Sequence, residues 1–168
     1  LLAAACDRRP GAAALPALRA LIAAGTIVRD GLNLREPGHR ARLPAADQKL
    51  LERVTGLLLG TGLRPPVIGE LATALDLTLP TLREFLLRAS ESGHLVRVAD
   101  NRYFLPATLV ALVQVARTLA AQSPDGSFDA AAYRNASQIG RNLTIELLEF
   151  FDRSGLTRFA GGRRVMIG

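Results

Sequence analysis

Apolar positions along this chain gather into helical stripes, each closed by a glycine and followed by two short strand-like runs around a turn. The arrangement occurs three times. The first copy is LPALRALIAAGTIVRDGLNL, ending at Leu34, and the second is TLREFLLRASESGHLVRVADNRYFL, ending at Leu105. The third is TIELLEFFDRSGLTRFAGGRRVMI, ending at Ile167. Gly25, Gly93 and Gly155 fall at the same place in each copy, where a left-handed residue closes a helix and a Cβ is unfavourable. Asp30-Gly31, Asp100-Asn101 and Gly161-Gly162 are two-residue hairpin signals, because these residue types tolerate positive φ.

The segments ahead of the second and third copies match as well. Pro44 to Leu59 carries Leu50, Leu51, Val54, Leu57 and Leu58 at helical spacing, and Pro106 to Ala121 carries Leu109, Leu112, Val113 and Ala116; proline is tolerated in a first turn. A shorter helix follows each, Ile68 to Leu75 and roughly Asp129 to Arg134. The closing helices present Leu79, Leu82, Phe85 and Leu86, then Leu143, Leu147, Phe150 and Phe151, as inward stripes. Thr81 with Glu84 has capping-box spacing, and Thr78 is an equally good cap with Pro80 in the first turn. Each full copy therefore reads helix, helix, helix, hairpin in about 60 residues, a helix-turn-helix closed by a two-stranded wing.

The expected fold class is mainly α with small β-hairpins (α+β), a tandem of winged-helix domains. The expected divisions are a partial domain over residues 1–41, holding a last helix and wing, then full domains over 42–105 and 106–168, with breaks at Pro37-Gly38 and Pro106. Sixty residues make a small core, so neighbouring copies are expected to pack together.

Composition narrows the function classes. An apolar fraction of 49% in 168 residues excludes disorder of the whole chain. The single cysteine, Cys6, excludes an intramolecular disulfide framework and a multi-cysteine zinc site, and His39 and His94 have no partners at ligand spacing. No metal or other cofactor is expected, and a reducing, cytoplasmic setting is the simplest reading. The longest apolar stretch, Tyr103 to Ala116, is too short to cross a bilayer. The opening LLAAAC is similar to a lipoprotein cleavage site but lacks the basic and apolar regions that precede one. Without an initiator Met the chain is expected to be a fragment, and a monomer. No GxxxxGK[ST] motif and no nucleophile–base pair occurs, so no catalytic residue and no enzymatic activity is expected.

The net charge is +6, and all but one of the 21 basic residues, Lys49, are arginine, which stays charged and pairs well with phosphate. Nucleic acid is thus the first partner to consider. Residues 44–105 hold seven basic and seven acidic side chains, a neutral domain that spaces or orients the last one. In the last copy, Arg134, Arg141 and Asn142 flank the start of the final helix, and Arg158, Arg163 and Arg164 lie on the wing around Gly161 and Gly162. Helix amides favour phosphate, and the glycines permit close backbone approach. These eight residues form the candidate RNA-binding set, and the five arginines among them, Arg134, Arg141, Arg158, Arg163 and Arg164, are expected to form one patch. Glu146, Glu149 and Asp152 on the final helix would be repelled by a DNA groove. A backbone grip with splayed-out bases suits an RNA hairpin better. A duplex-DNA regulator and a protein–protein scaffold stay open as alternatives. Arg8, Arg9, Arg19, Arg29, Arg35, Arg40 and Arg42 could equally contact a parent domain.

A more specific signal is the combination of Gly140-Arg141, Leu147-Leu148-Glu149-Phe150-Phe151-Asp152 and Gly155-Leu156-Thr157-Arg158. It closely resembles the C-terminus of the bacterial SelB family, the selenocysteine-specific elongation factors. The segment GHLVRVADNRYFL resembles that family's penultimate winged-helix domain. The resemblance covers essentially the whole chain, most of all residues 106–168. It implies winged helices behind a GTPase that delivers selenocysteinyl-tRNA to the ribosome, the last domain binding the selenocysteine insertion hairpin of the mRNA. It also implies Arg141, Asn142, Arg158, Arg163 and Arg164 as RNA contacts. The chain departs from the family pattern at Asn142, where Lys is usual, at Gly162, where an acidic residue is frequent, and at Phe159, where Arg is common.

Overall fold

The computed structural model of the chain describes residues 20–30, 33–35 and 43–167. They belong to two compact units, Leu1–Arg40 and Ala41–Gly168. In the first unit a helical segment ends at Gly25, and the antiparallel strands β1 (Val28–Asp30) and β2 (Asn33–Arg35) follow. Cys6, Gly31, the Pro37-Gly38 break, His39 and Arg8, Arg9, Arg19, Arg40 and Arg42 lie outside the described residues.

The second unit holds α1 (Ala45–Gly60), α2 (Ile68–Leu75), α3 (Leu79–Glu91), β3 (Val96–Ala99) and β4 (Arg102–Phe104). It continues with α4 (Pro106–Gln122), β5 (Ser127–Phe128), α5 (Ala130–Ser137), α6 (Arg141–Arg153), β6 (Thr157–Ala160) and β7 (Arg163–Met166). This is the α+β order of two winged helices in tandem.

The three copies agree down to their hydrogen bonds. The amides of Gly25, Gly93 and Gly155 donate to the carbonyls of Ile22, Ser90 and Asp152, and those of Thr26, His94 and Leu156 to Leu21, Ala89 and Phe151. The glycines sit at φ +71°, +77° and +70°, so the left-handed helix ending is one motif used three times. The turn that joins the second and third helices repeats too: Asp76 and Gln138, at φ 55° and 56°, end α2 and α5 in the left-handed region.

Two cores follow from the stripes. Val54, Leu58, Leu71, Leu82, Phe85 and Leu86 are buried in one copy, and Leu109, Leu112, Tyr133, Leu147 and Phe151 in the next. Arg88 clamps α3 to α1 by two hydrogen bonds to Asp47, at 2.8 and 3.0 Å; this pairing holds the Asp47 carboxyl below its ordinary pKa, against the opposing effect of burial. The Tyr133 hydroxyl donates to the Leu112 carbonyl at 3.0 Å and so pins α5 to α4; burial raises its pKa. Of the two candidate caps on α3, Thr78 is the one used: its Oγ1 accepts from the Thr81 amide at 3.4 Å.

Three expectations change. Leu79 is 47% exposed, because it occupies the first turn of α3, ahead of the buried stripe. Phe150 is only half-buried, whereas Leu148 and Thr144 are buried. Helix α6 packs on its own strand β6 and also on β3 of the preceding copy, so its apolar face is wider than one core requires. The last wing has three strands, ordered β5-β7-β6, where two were expected. Two residues, Ser127 and Phe128, are too few to show a period-two pattern.

Candidate nucleic-acid interface

The start of α6 is built to stay open. Gly140 is its N-cap, no side chain caps the first turn, and the first backbone bond runs from the Thr144 amide to the Gly140 carbonyl at 2.9 Å. A Cβ at Gly140 would meet nothing within 4 Å, so the space before the helix is free. Arg141 and Asn142 are exposed there, next to the partial positive charge of the helix start.

They face a cleft of about 630 Å³ whose opposite wall comes from the preceding copy. That wall is Thr61, Arg64, Pro65, Pro66 and Val67 from the α1–α2 connection, with Glu70 from α2 and Arg102 from β4. The Arg64 guanidinium donates to the Gln138 carbonyl, which the left-handed turn presents. At the joint, Arg102 Nε pairs with Glu146 at 2.8 Å and Nη1 donates to the Pro65 carbonyl at 2.7 Å. Arg153 adds a bond to the Val98 carbonyl at 3.0 Å. The middle copy, whose net charge is zero, therefore lends two arginines and one carboxylate, Glu70, to the cleft. Arg64 and Arg102 were missed in the sequence, because their partners lie 74 and 44 residues away.

The wing is a separate station. Gly161 and Gly162, at φ +57° and +78°, form the turn between Ala160 and Arg163, which pair. Arg158 is exposed on β6. Arg163 donates to the Ser127 hydroxyl, and to its carbonyl at 3.0 Å, with Asp125 at 3.8 Å. The hydroxyls of Ser123 and Ser127 and the Ser127 amide hold the Asp125 carboxyl down to about 2, with Arg163 contributing less. Arg164 pairs with Asp152 at 2.9 Å and is only 12% exposed, and the Thr157 hydroxyl donates to the other Asp152 oxygen at 2.6 Å.

The expected single patch thus resolves into two groups. Arg141 and Asn142 line the cleft, no wing residue does, and the wing is fastened by Asp152 near the far end of α6. At 1.5 Å per residue the two ends lie about 17 Å apart along the helix. Arg134 is exposed in the last turn of α5. The carboxylates of α6 are not the open acidic face the sequence suggested: Glu146 is bound by Arg102 and Asp152 by Arg164, and Glu149 has Arg153 at 3.9 Å. Among the described residues, no group of His, Cys, Asp and Glu could hold a metal ion, and no helix is long and apolar enough to cross a membrane.

A family model described as elongation factor SelB, winged helix, matches residues 120–166. The selenocysteine-specific elongation factor of Haemophilus influenzae is 29% identical over 99 residues, 59% of this chain and 16% of that protein. That of Escherichia coli is 28% identical over 133 residues, 79% of this chain and 21% of that protein. The chain thus spans about a fifth of the length of these curated relatives. Among solved structures, the mRNA-binding domain of elongation factor SelB from E. coli, in complex with SECIS RNA, superposes with a TM-score of 0.67 at 26% identity. That match covers 75% of this chain and all of the E. coli domain. Family model, relatives and fold point the same way: this chain is similar to the winged-helix region of SelB, the selenocysteine-specific elongation factor.

Proposed function

We propose that this chain is a non-catalytic RNA-binding part of a selenocysteine-specific elongation factor, and that its last winged helix grips the selenocysteine insertion hairpin of an mRNA. The observation that carries the reading is the full-length match of an RNA-bound SelB domain, together with an uncapped helix start displaying Arg141 and Asn142. Phosphate oxygens suit those amides and guanidinium groups, and the open wing turn at Gly161 and Gly162 gives a backbone room to pass. Arg134 and Arg158 are free to join them, while Arg163 and Arg164 act first as struts of the wing. The domain divisions we propose are 1–41, 42–105 and 106–168. In the parent protein, GTP, selenocysteinyl-tRNA and the ribosome would be further partners, handled outside the chain described here; the chain itself is read as a cytoplasmic monomer that needs no cofactor.

Alanine at Arg141 and at Arg158 tests the reading. Each change is expected to weaken hairpin binding and to lower the slope of log affinity against log salt by about one, as loss of one phosphate contact does. Unchanged affinity and slope in both variants, and in their combination, would point instead to a protein-docking role for these arginines.

A further inference from the structure

The wing carries an exposed aromatic ring that the backbone grip leaves unused. Phe159 is 56% exposed, and it is the only aromatic among the exposed large apolar side chains of the described residues. It stands directly across the ribbon from Arg164, whose guanidinium carbon lies 4.7 Å from the ring centroid. Arg164 is itself immobilised, 12% exposed and bonded to Asp152, which also takes the Thr157 hydroxyl. A chain of fixed groups, Asp152 to Arg164 to Phe159, therefore runs from the last turn of α6 to an open ring. The charge of Arg164 is spent on Asp152, which makes it a poor phosphate clamp but a good support. A cation over one face of an aromatic ring is an attractive contact, so it holds the ring in place while the rest of the ring stays in water.

We propose that Phe159 is a stacking platform for one unpaired base of the bound RNA, and that Arg164 is the positioning residue that holds the ring for it. The proposal rests on the RNA-binding reading above and deepens it. Unpaired RNA bases stack on aromatic side chains because every base offers a π-face, and a ring already ordered loses little freedom on binding. The exposed Arg158, adjacent in the strand, and the glycine turn just beyond supply the charge and the clearance that the attached backbone needs. An aliphatic residue here would provide area without a face, and an arginine at this position would stack while also adding charge; Phe159 reads the base with none.

The test is a set of anisotropy titrations of the whole chain. The probes are the source organism's selenocysteine insertion hairpin and versions in which each unpaired nucleotide in turn is made abasic. Phe159→Leu is expected to weaken binding of the intact hairpin by about 5- to 100-fold, the range of base–aromatic stacking, and Phe159→Trp to retain it. One abasic hairpin is expected to bind wild type and Phe159→Leu equally, and Arg164→Ala to weaken only hairpins that keep that base. Equal affinity of Phe159→Leu and wild type for the intact hairpin would overturn the platform, and so would an equal loss on every abasic hairpin. If Phe159→Leu leaves binding unchanged while Arg141→Ala weakens it in the same series, the RNA reading stands and the platform falls. A wild-type chain that binds none of the hairpins overturns both.

Discussion

Asp125 shows how a single carboxylate organises the wing. It accepts from the Ser123 hydroxyl at 2.6 Å, the Ser127 hydroxyl at 2.8 Å and the Ser127 amide at 3.1 Å. These bonds stabilise the charged form, which is why its carboxyl sits at about 2 rather than at the ordinary 3.8. A carboxyl whose pKa falls on folding stabilises the fold above its unfolded pKa, and that contribution is lost as pH falls through the folded value. The expected outcome is a loss of thermal midpoint between about pH 4 and pH 2 that Asp125→Asn removes, read by thermal unfolding in that range. An unchanged pH profile in the variant would show that other carboxylates govern acid unfolding. At this scale the sequence was legible in part. The left-handed glycines and the glycine wing turn follow from residue type alone, and each has the φ its place requires. The division of the arginines into free and committed ones was not legible, since Arg163 and Arg164 look like Arg158 until Ser127 and Asp152 are brought beside them.

Elements were the most legible level, because apolar period and glycine placement repeat. Helix α2 follows the expected span, and α1, α3 and α4 begin where proline and threonine place them. What escaped was set by neighbours in space. The strand β5 exists because β7 offers it an edge, and Leu148 is buried because β3 of the previous copy lies against α6. The joint between copies rests on the Arg102–Glu146 pair, with side chains 17% and 28% exposed, and on the carbonyl bonds of Arg102, Arg153 and Arg64. A double-mutant cycle on Arg102→Ala and Glu146→Ala, followed by denaturant unfolding, is expected to return a coupling of about 1 kcal/mol or more, as for residues in one network. Additive effects would mean that the carbonyl bonds hold the joint without the ion pair.

Over the whole molecule, charge is arranged by position more than by amount. The middle copy is neutral, and it lines the cleft opposite Arg141 with Arg64, Arg102 and Glu70, so under the proposed RNA-binding role a hairpin held at the start of α6 would meet residues of both copies. The resemblance carried by the final helix and wing was legible in the sequence; the shared cleft, assembled from residues about 40 to 75 positions apart, was not. The most direct measurement is an anisotropy titration of the whole chain at fixed salt, comparing the source organism's insertion hairpin, a scrambled-loop hairpin of equal length and a duplex DNA. The account predicts a preference for the native hairpin of about 4 kcal/mol or more, the usual span of specific over non-specific recognition, with a salt slope of roughly −3 to −4 for about four phosphates. Equal, strongly salt-dependent binding to all three would contradict it and reduce the arginines to a general attraction for nucleic acid.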